Sequence, residues 1–113
     1  MRALVCGGRD FNERDRVYRA LDGARKRLGL NHVIQGGARG ADLLAKQWAE
    51  TRGIPCDEYR AEWGRHGRAA GPLRNQTMIE VGKPDIVIAF PGTVGTADMI
   101  ARAEKAAIPV ERG

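Results

Sequence analysis

The segment 91–96 (PGTVGT) follows the apolar run 85–90 and places two glycines and two threonines directly before a helical pattern. Glycine allows the backbone to approach a ligand closely, and the first N–H groups of a helix have no partner inside that helix. These groups and the helix dipole favour a negatively charged ligand, and the threonine hydroxyls add hydrogen-bond donors. The segment therefore predicts a phosphate-binding turn. Its predicted ligand-binding residues are Pro91, Gly92, Thr93, Gly95 and Thr96.

Two earlier glycine-rich segments have the same design, namely 7–10 (GGRD) and 36–42 (GGARGAD). Each follows a short apolar run and precedes a helical pattern, and each contains an arginine, whose planar fork suits an anion. Neither matches the dinucleotide fingerprint G-x-G-x-x-G or a Walker sequence. One such turn is a weak signal, whereas three at one edge of a sheet favour a shared anion-binding site. The predicted site therefore also contains Gly7, Gly8, Arg9, Asp10, Gly36, Gly37, Arg39 and Gly40.

Ordinary structural roles are the alternative for several of these residues. The first segment can be a tight turn in which Arg9 is solvated or paired with Asp10. Asp42 lies early in its helix and is interpreted as an acid that complements the helix dipole rather than as a catalyst.

A fourth segment, 71–78 (GPLRNQTM), opens another helical pattern and is expected to present Arg74 and Asn75 to the same crevice. The stretch 60–70 before it carries further basic residues, which are interpreted as solvated, whereas Arg74 is expected to cover an anionic ligand. Trp63 is either a platform for a nucleobase or a core or interface residue. The two histidines have no cluster of ligands around them, so no metal site is predicted.

Short apolar runs alternate regularly with longer amphipathic runs. Strands are predicted over 2–6, 32–35, 54–59, 85–90 and 108–111. Helices are predicted from the cap at Asn12 to near Gly29, from Ala41 to before Gly53, over 72–81 and over 96–107. This alternation indicates an α/β fold, a single Rossmann-like three-layer domain over 1–113 whose five-stranded, mostly parallel sheet has the order 3-2-1-4-5 and helices on both faces. Ligands bind such sheets at the carboxyl ends of the strands.

The net charge of +5 arises from 19 basic residues, 15 of them arginine, against 14 acids. An anionic partner agrees with this excess, although arginines on helix faces are often simply solvated. The two cysteines are too few for a disulfide framework or a zinc site and are expected to be small buried groups. Neither a signal-peptide pattern nor a membrane-spanning stretch is visible, so a cytoplasmic protein without membrane contact is expected.

Four ordered motifs, GGRDF, QGGARGAD, GPLRNQTM and FPGTVGTADM, make the chain similar to the SLOG superfamily, specifically its small YspA/cpYpsA-related branch. The resemblance covers nearly the whole chain. It implies a Rossmann-like domain that binds a nucleotide or a nucleotide-derived ligand. More distant relatives in the superfamily are the LOG phosphoribohydrolases and the DNA-processing protein DprA.

The LOG enzymes carry the motif P-G-G-x-G-T-x-x-E, whose loop binds phosphate and whose glutamate helps to cleave an N-glycosidic bond. The present sequence keeps most of the loop, but Thr93 replaces a glycine and Met99 occupies the position of the glutamate. Asp98 lies one residue away, about 100° around the helix, and is the candidate catalytic residue. Arg74 matches the arginine that precedes the motif in LOG enzymes.

The leading functional hypothesis is a domain that binds a nucleotide-derived, phosphate-bearing ligand at the carboxyl edge of the sheet, as a sensor, carrier or sequestering domain. It requires no cofactor beyond that ligand. The alternatives are a nucleotide hydrolase of the LOG type, using Asp98, and DprA-like binding of single-stranded DNA. The resemblance also implies a homodimer. Trp48 and Trp63 are the candidates for burying apolar surface against a second copy.

Overall fold

The computed structural model describes residues 1–113, and a five-stranded sheet forms its centre. The strands are β1 (Arg2–Cys6), β2 (His32–Gln35), β3 (Cys56–Glu58), β4 (Ile86–Ala89) and β5 (Val110–Arg112). Every neighbouring pair is parallel, and the order is β3-β2-β1-β4-β5, which confirms the predicted topology. Strands β2 and β3 lie on one side of β1, and strands β4 and β5 lie on the other side, so the strand order reverses between β1 and β4. The carboxyl ends of these two strands therefore mark the point at which ligands bind in open α/β sheets.

Two pairs of long helices cover the two faces of the sheet. On one face lie α1 (Arg14–Leu28) and α2 (Ala41–Arg52), and on the other α4 (Ala70–Glu80) and α5 (Val94–Lys105). Alternate residues of β1 enter opposite cores, since Val5 packs under the first pair and Leu4 under the second. Burial on both faces explains why the sequence of β4 is apolar throughout.

A short helical insertion connects β3 with α4. It consists of α3 (Trp63–His66) and a 3-10 turn over Gly67–Ala69, and none of its residues is buried. The sequence prediction of an irregular stretch over 60–70 missed these elements because their few residues show no apolar periodicity.

The predicted ends of several elements differ from the structure. Glu13, not Asn12, precedes the first residue of α1, because the Arg14 N–H donates to the main-chain carbonyl of Asn12 and no side chain caps the helix. Helix α4 begins at Ala70, and Pro72 still falls in the first turn, where its missing N–H costs nothing. Helix α5 begins two residues before the predicted Thr96, and the edge strands β3 and β5 are shorter than predicted.

Trp48 lies inside the core and does not serve an interface between copies. Its side chain is fully buried, and its Nε1 donates to Asp22 Oδ1 at 2.9 Å. Arg52 donates to the same carboxylate at 2.8 Å, which joins α2 to α1. The expectation that Trp48 buries surface against a second chain is therefore wrong. No helix of the chain is both long enough and apolar enough to cross a bilayer.

Gly40 lies where the turn before α2 packs against the turn before α1. Its φ is +79° with ψ −130°, and a Cβ there would collide with the carbonyl oxygen of Gly8 and lie 2.7 Å from the carbonyl carbon of Arg9. Gly29, which ends α1, has φ +68° in the left-handed region, but a Cβ there would meet nothing within 4 Å.

We expect Gly29→Ala to lower the free energy of unfolding by about 1 kcal/mol, the usual cost of a left-handed residue. Gly40→Ala adds a steric collision to that cost and is expected to destabilise by about 2 kcal/mol more. Urea unfolding of both variants measures the difference. Equal losses would show that the turn relaxes freely around the added methyl group.

Candidate functional site

A cleft of about 850 Å³ opens at the carboxyl ends of β1 and β4. Four stretches of the chain line it: the turn after β1, the start of α2, the region from α3 into α4, and the turn before α5 with the first residues of that helix. The predicted site residues that line the cleft are Gly7, Gly8, Arg9, Asp10, Arg39, Arg74, Asn75, Pro91, Gly92, Thr93, Gly95, Thr96 and Asp98.

The turn before α5 carries five consecutive N–H groups, those of residues 92–96, that donate to no acceptor in the protein. The first donor of the helix is Ala97, whose N–H reaches the carbonyl of Thr93 at 3.0 Å. Unpaired N–H groups at the start of a helix, together with the dipole, form a binding place for an anion.

The turn after β2 differs, because its own side chains occupy its N–H groups. The Gly37 N–H donates to Gln35 Oε1 at 2.6 Å, and the Ala38 N–H donates to Asp42 Oδ2 at 3.2 Å. Gly36 and Gly37 line a separate cavity of about 310 Å³, and Gly40 packs against the turn after β1 rather than lining the cleft. Gly36, Gly37 and Gly40 therefore do not line the main cleft, although Gly36 and Gly37 share the smaller cavity with Arg9, Arg39 and Arg74.

Main-chain contact holds the turns after β1 and β4 together. The Gly8 N–H donates to the carbonyl of Pro91 at 2.8 Å, and a Cβ on Gly8 would lie 3.2 Å from the Cα of Gly92. The Cβ of any other residue at position 92 would lie 2.8 Å from the Gly8 nitrogen. Packing between the turns requires glycine at position 92 and leaves little room for a side chain at position 8, whatever ligand the cleft holds.

Three of the four arginines that line the cleft have no carboxylate partner within 4 Å, namely Arg9, Arg68 and Arg74. Arg39 pairs with Asp10 at 3.1 Å, so the predicted alternative in which Arg9 pairs with Asp10 is wrong. Unpaired cations at a cleft that also exposes free N–H groups favour an anionic occupant.

Arg74 acts mainly as a bridge between elements. Its Nη1 donates to the carbonyls of Gly36 at 2.6 Å and Tyr59 at 3.3 Å, and its Nε donates to Asn75 Oδ1 at 3.0 Å. Burial lowers the pKa of the Arg74 guanidinium, although an arginine remains charged at neutral pH. Only Nη2 has no acceptor in the protein, so Arg74 can give one nitrogen to a ligand while the others position the cleft wall.

Trp63 and Arg68 lie in the helical segment between β3 and α4, and both line the cleft. Trp63 lines the cleft with 48% of its surface exposed, and the guanidinium carbon of Arg9 lies 5.4 Å from its ring centre. Arg60 and Arg65 pair with glutamates, whereas Arg68 is exposed and lines the cleft without a carboxylate partner. No sequence signal separates Arg68 from its neighbours, because the distinction depends on which carboxylates the fold brings close.

Comparisons with known proteins show the family of this chain. A sequence model of the YspA, cpYpsA-related SLOG family (YAcAr) matches residues 1–66, more than half of the chain. The chain belongs to the YAcAr family. The Gene 61 protein of Mycobacterium phage D29 is similar to it, with 41% identity over 118 residues, which cover 96% of this chain and 93% of the phage protein. The resemblance inferred from the sequence motifs is thus confirmed.

This YAcAr domain places an aspartate, not the motif glutamate, at the cleft. Met99, at the position of the LOG glutamate, is 1% exposed and packs in the core between the sheet and helices α4 and α5. Asp98 lines the cleft, and its Oδ2 accepts from Asn75 Nδ2 at 3.0 Å and from Arg102 Nε at 2.8 Å. Burial raises the pKa of Asp98, but the bonds from Arg102 and Asn75 outweigh it, so the pKa is lowered and the group is ionised at neutral pH.

Asp42 is the second acid of the cleft and is buried at its floor. Burial raises the pKa of Asp42 to about 6, against the hydrogen bond from Ala38 and the charge of Arg74. The thiol of Cys6 lies nearby, and burial together with the charge of Asp42 raises its pKa to about 12, so this thiol is inert. The YAcAr chain contains no cluster of three or more His, Cys, Asp or Glu residues suited to a metal ion.

The buried Asp42 predicts a pH-dependent stability. Because its folded pKa of about 6 exceeds the ordinary value of 3.8, the unfolded chain loses this proton first as pH rises. Its contribution is fully present below pH 3.8 and is lost progressively as the pH rises through about 6, which lowers the free energy of unfolding by up to about 3 kcal/mol.

Asp42→Asn removes this titration while keeping an acceptor for the Ala38 N–H. We expect the variant to gain stability relative to the wild type between pH 4 and pH 7, as measured by urea unfolding at both values. Asp15→Asn, which changes an exposed carboxyl on α1, is the control and is expected to show no such gain. A constant offset between Asp42→Asn and the wild type would contradict the prediction.

Proposed function

We propose that this domain binds a nucleotide or nucleotide-derived ligand in the cleft, with the phosphate on the turn before α5. The observation that carries the proposal is the run of five free N–H groups over 92–96 at one side of a cleft that also contains Arg9 and Arg68. A cleft of about 850 Å³ lies within the range of roughly 300–1,000 Å³ typical of small-molecule sites. Membership of a SLOG family suggests a nucleotide-related function in the same direction.

The phosphate subsite is assigned to one turn only. The turn after β2 has already used the N–H groups of Gly37 and Ala38, and that of Gly8 is bound to Pro91. The first turn contributes the Arg9 side chain, and Arg74 contributes its free Nη2. The domain is thus proposed to act as a sensor, carrier or sequestering domain that recognises its ligand through main-chain donors and supplementary arginines.

Charge removal at the cleft tests this proposal. We expect Arg9→Gln and Arg68→Gln each to weaken binding of a nucleoside monophosphate by about tenfold, which corresponds to about 1.4 kcal/mol. Arg19→Gln removes the same charge from an exposed position on α1 and is expected to leave binding unchanged. Isothermal titration with the four ribonucleoside 5′-monophosphates and inorganic phosphate measures the effect. Absence of binding by all five compounds would reject the proposal.

A second candidate, hydrolysis of an N-glycosidic bond, is favoured by one observation, the ionised carboxylate of Asp98 at the cleft. A carboxylate there can stabilise positive charge that develops on a sugar ring. The buried Met99 argues against a LOG-type arrangement, because Met99 occupies the motif position of the glutamate in the LOG enzymes.

Incubation with the four ribonucleoside monophosphates, followed by chromatography of the free base, separates binding from hydrolysis. If the domain is a hydrolase, Asp98→Asn is expected to reduce base release at least about a hundredfold, in the range typical of an acid–base group. Release that persists unchanged in Asp98→Asn would exclude this residue as the catalyst. No release by the wild type would leave ligand binding as the function.

Binding of single-stranded DNA and homodimer formation remain predictions from the resemblance. No continuous basic surface favours DNA, because arginines on α1, α2 and α5 pair with carboxylates of the chain. For the dimer, Trp48 is buried in the core, and the exposed large apolar side chains are those of Met1, Leu43, Trp63, Leu73, Val81 and Val94. Residence in the cytoplasm likewise stays an expectation.

A further inference from the structure

The carboxylate of Asp98 lines the cleft beside the proposed phosphate subsite, where it repels an anionic ligand. Asp98 lies on α5 three residues after Gly95, about 4.5 Å along the helix axis. Asn75 ties the two positions together, since its Nδ2 donates to the Gly95 carbonyl at 3.3 Å and to Asp98 Oδ2 at 3.0 Å. A negative charge held so close to a phosphate repels it unless another part of the ligand donates hydrogen bonds to the carboxylate.

The hydrogen bonds of Asp98 leave one oxygen for such a donor. Both protein donors, Asn75 Nδ2 and Arg102 Nε, reach Oδ2, and no group of the protein donates to Oδ1. Gln76 Oε1 accepts from Arg102 Nη1 at 2.8 Å, which fixes the guanidinium and through it the orientation of the carboxylate. An oriented, ionised acceptor with a free oxygen suits a hydroxyl or amine donor on the ligand.

Resting on the proposed function, we propose that Asp98 Oδ1 accepts the 2′- or 3′-hydroxyl of a ribose whose 5′-phosphate lies on the turn before α5. The sugar is the part of a nucleotide that directly adjoins the phosphate, and its hydroxyl pair offers the donors that the carboxylate lacks. The cleft therefore selects ribonucleotides over compounds without these hydroxyls. In dinucleotide-binding folds an acid after β2 performs this task, whereas here the acid comes from α5.

The cleft has room for the base on the far side of the sugar. Gly71 and Asn75 lie one helical turn apart on α4, about 6 Å along its axis. Asn75 holds Asp98, and a Cβ on Gly71 would lie 3.3 Å from the Trp63 ring. The half-exposed Trp63 ring thus stands at the end of the cleft where a base would follow the sugar, and its face suits stacking.

The experiment compares the four ribonucleoside 5′-monophosphates with their 2′,3′-dideoxy counterparts and with inorganic phosphate, by isothermal titration. For the wild type we expect the tightest ribonucleotide to bind about tenfold more tightly than its dideoxy counterpart. In Asp98→Asn we expect this ratio to fall to within about twofold, while phosphate and the dideoxy compound bind more tightly because a repulsive charge is gone. A purely structural role of Asp98 predicts weaker binding of all compounds.

Glu104→Gln removes the same charge from an exposed position on the same helix and is expected to keep the wild-type ratio. Equal binding of ribo and dideoxy compounds by the wild type would overturn the inference and leave the proposed function standing. A ratio retained in Asp98→Asn, or a change in base preference alone, would also overturn it. If neither phosphate nor any nucleotide binds, the proposed function fails and the inference with it.

Discussion

Close contact between main chains at three glycines is the constraint on which the cleft depends. Gly8 donates its N–H to Pro91, Gly92 packs against Gly8, and Gly40 packs against the carbonyl of Gly8. This contact fixes the turns after β1 and β4 relative to each other and brings the start of α2 beside them. The cleft is the space above this junction. Main-chain packing therefore determines the positions of the side chains that line the cleft.

The three glycine-rich turns look alike in sequence but divide their tasks. In the turn after β2, Gln35 and Asp42 accept from the N–H groups of Gly37 and Ala38, and in the turn after β1 the Gly8 N–H donates to Pro91. The turn before α5 has the longest run of free N–H groups, those of residues 92–96. Burying Asp42 at the floor of the cleft costs stability at neutral pH, yet its carboxylate holds the Ala38 N–H and thereby shapes the turn. Glycine content alone therefore identifies the edge of the sheet at which the cleft lies, but not the turn whose N–H groups are free.

The topology and the region of the site could be predicted from the sequence because both follow from local patterns. The apolar run of β4 and the helical spacing in α1 indicate alternating strands and helices, and therefore a parallel sheet covered by helices. The strand order is the one expected for a Rossmann-like domain. The unpaired state of Arg68, the burial of Met99 and the orientation of Asp98 could not be predicted, because each depends on partners far away in the chain. Gly40 was assigned to a ligand for the same reason, since its close neighbours at Gly8 and Arg9 become visible only in three dimensions.

The insertion between β3 and α4 forms one wall of the cleft without any buried residue of its own in Trp63–Ala69. Substitutions at these exposed positions change the wall of the cleft while leaving both cores intact. In this segment, the residues that shape the cleft and the residues that stabilise the fold are therefore separate sets.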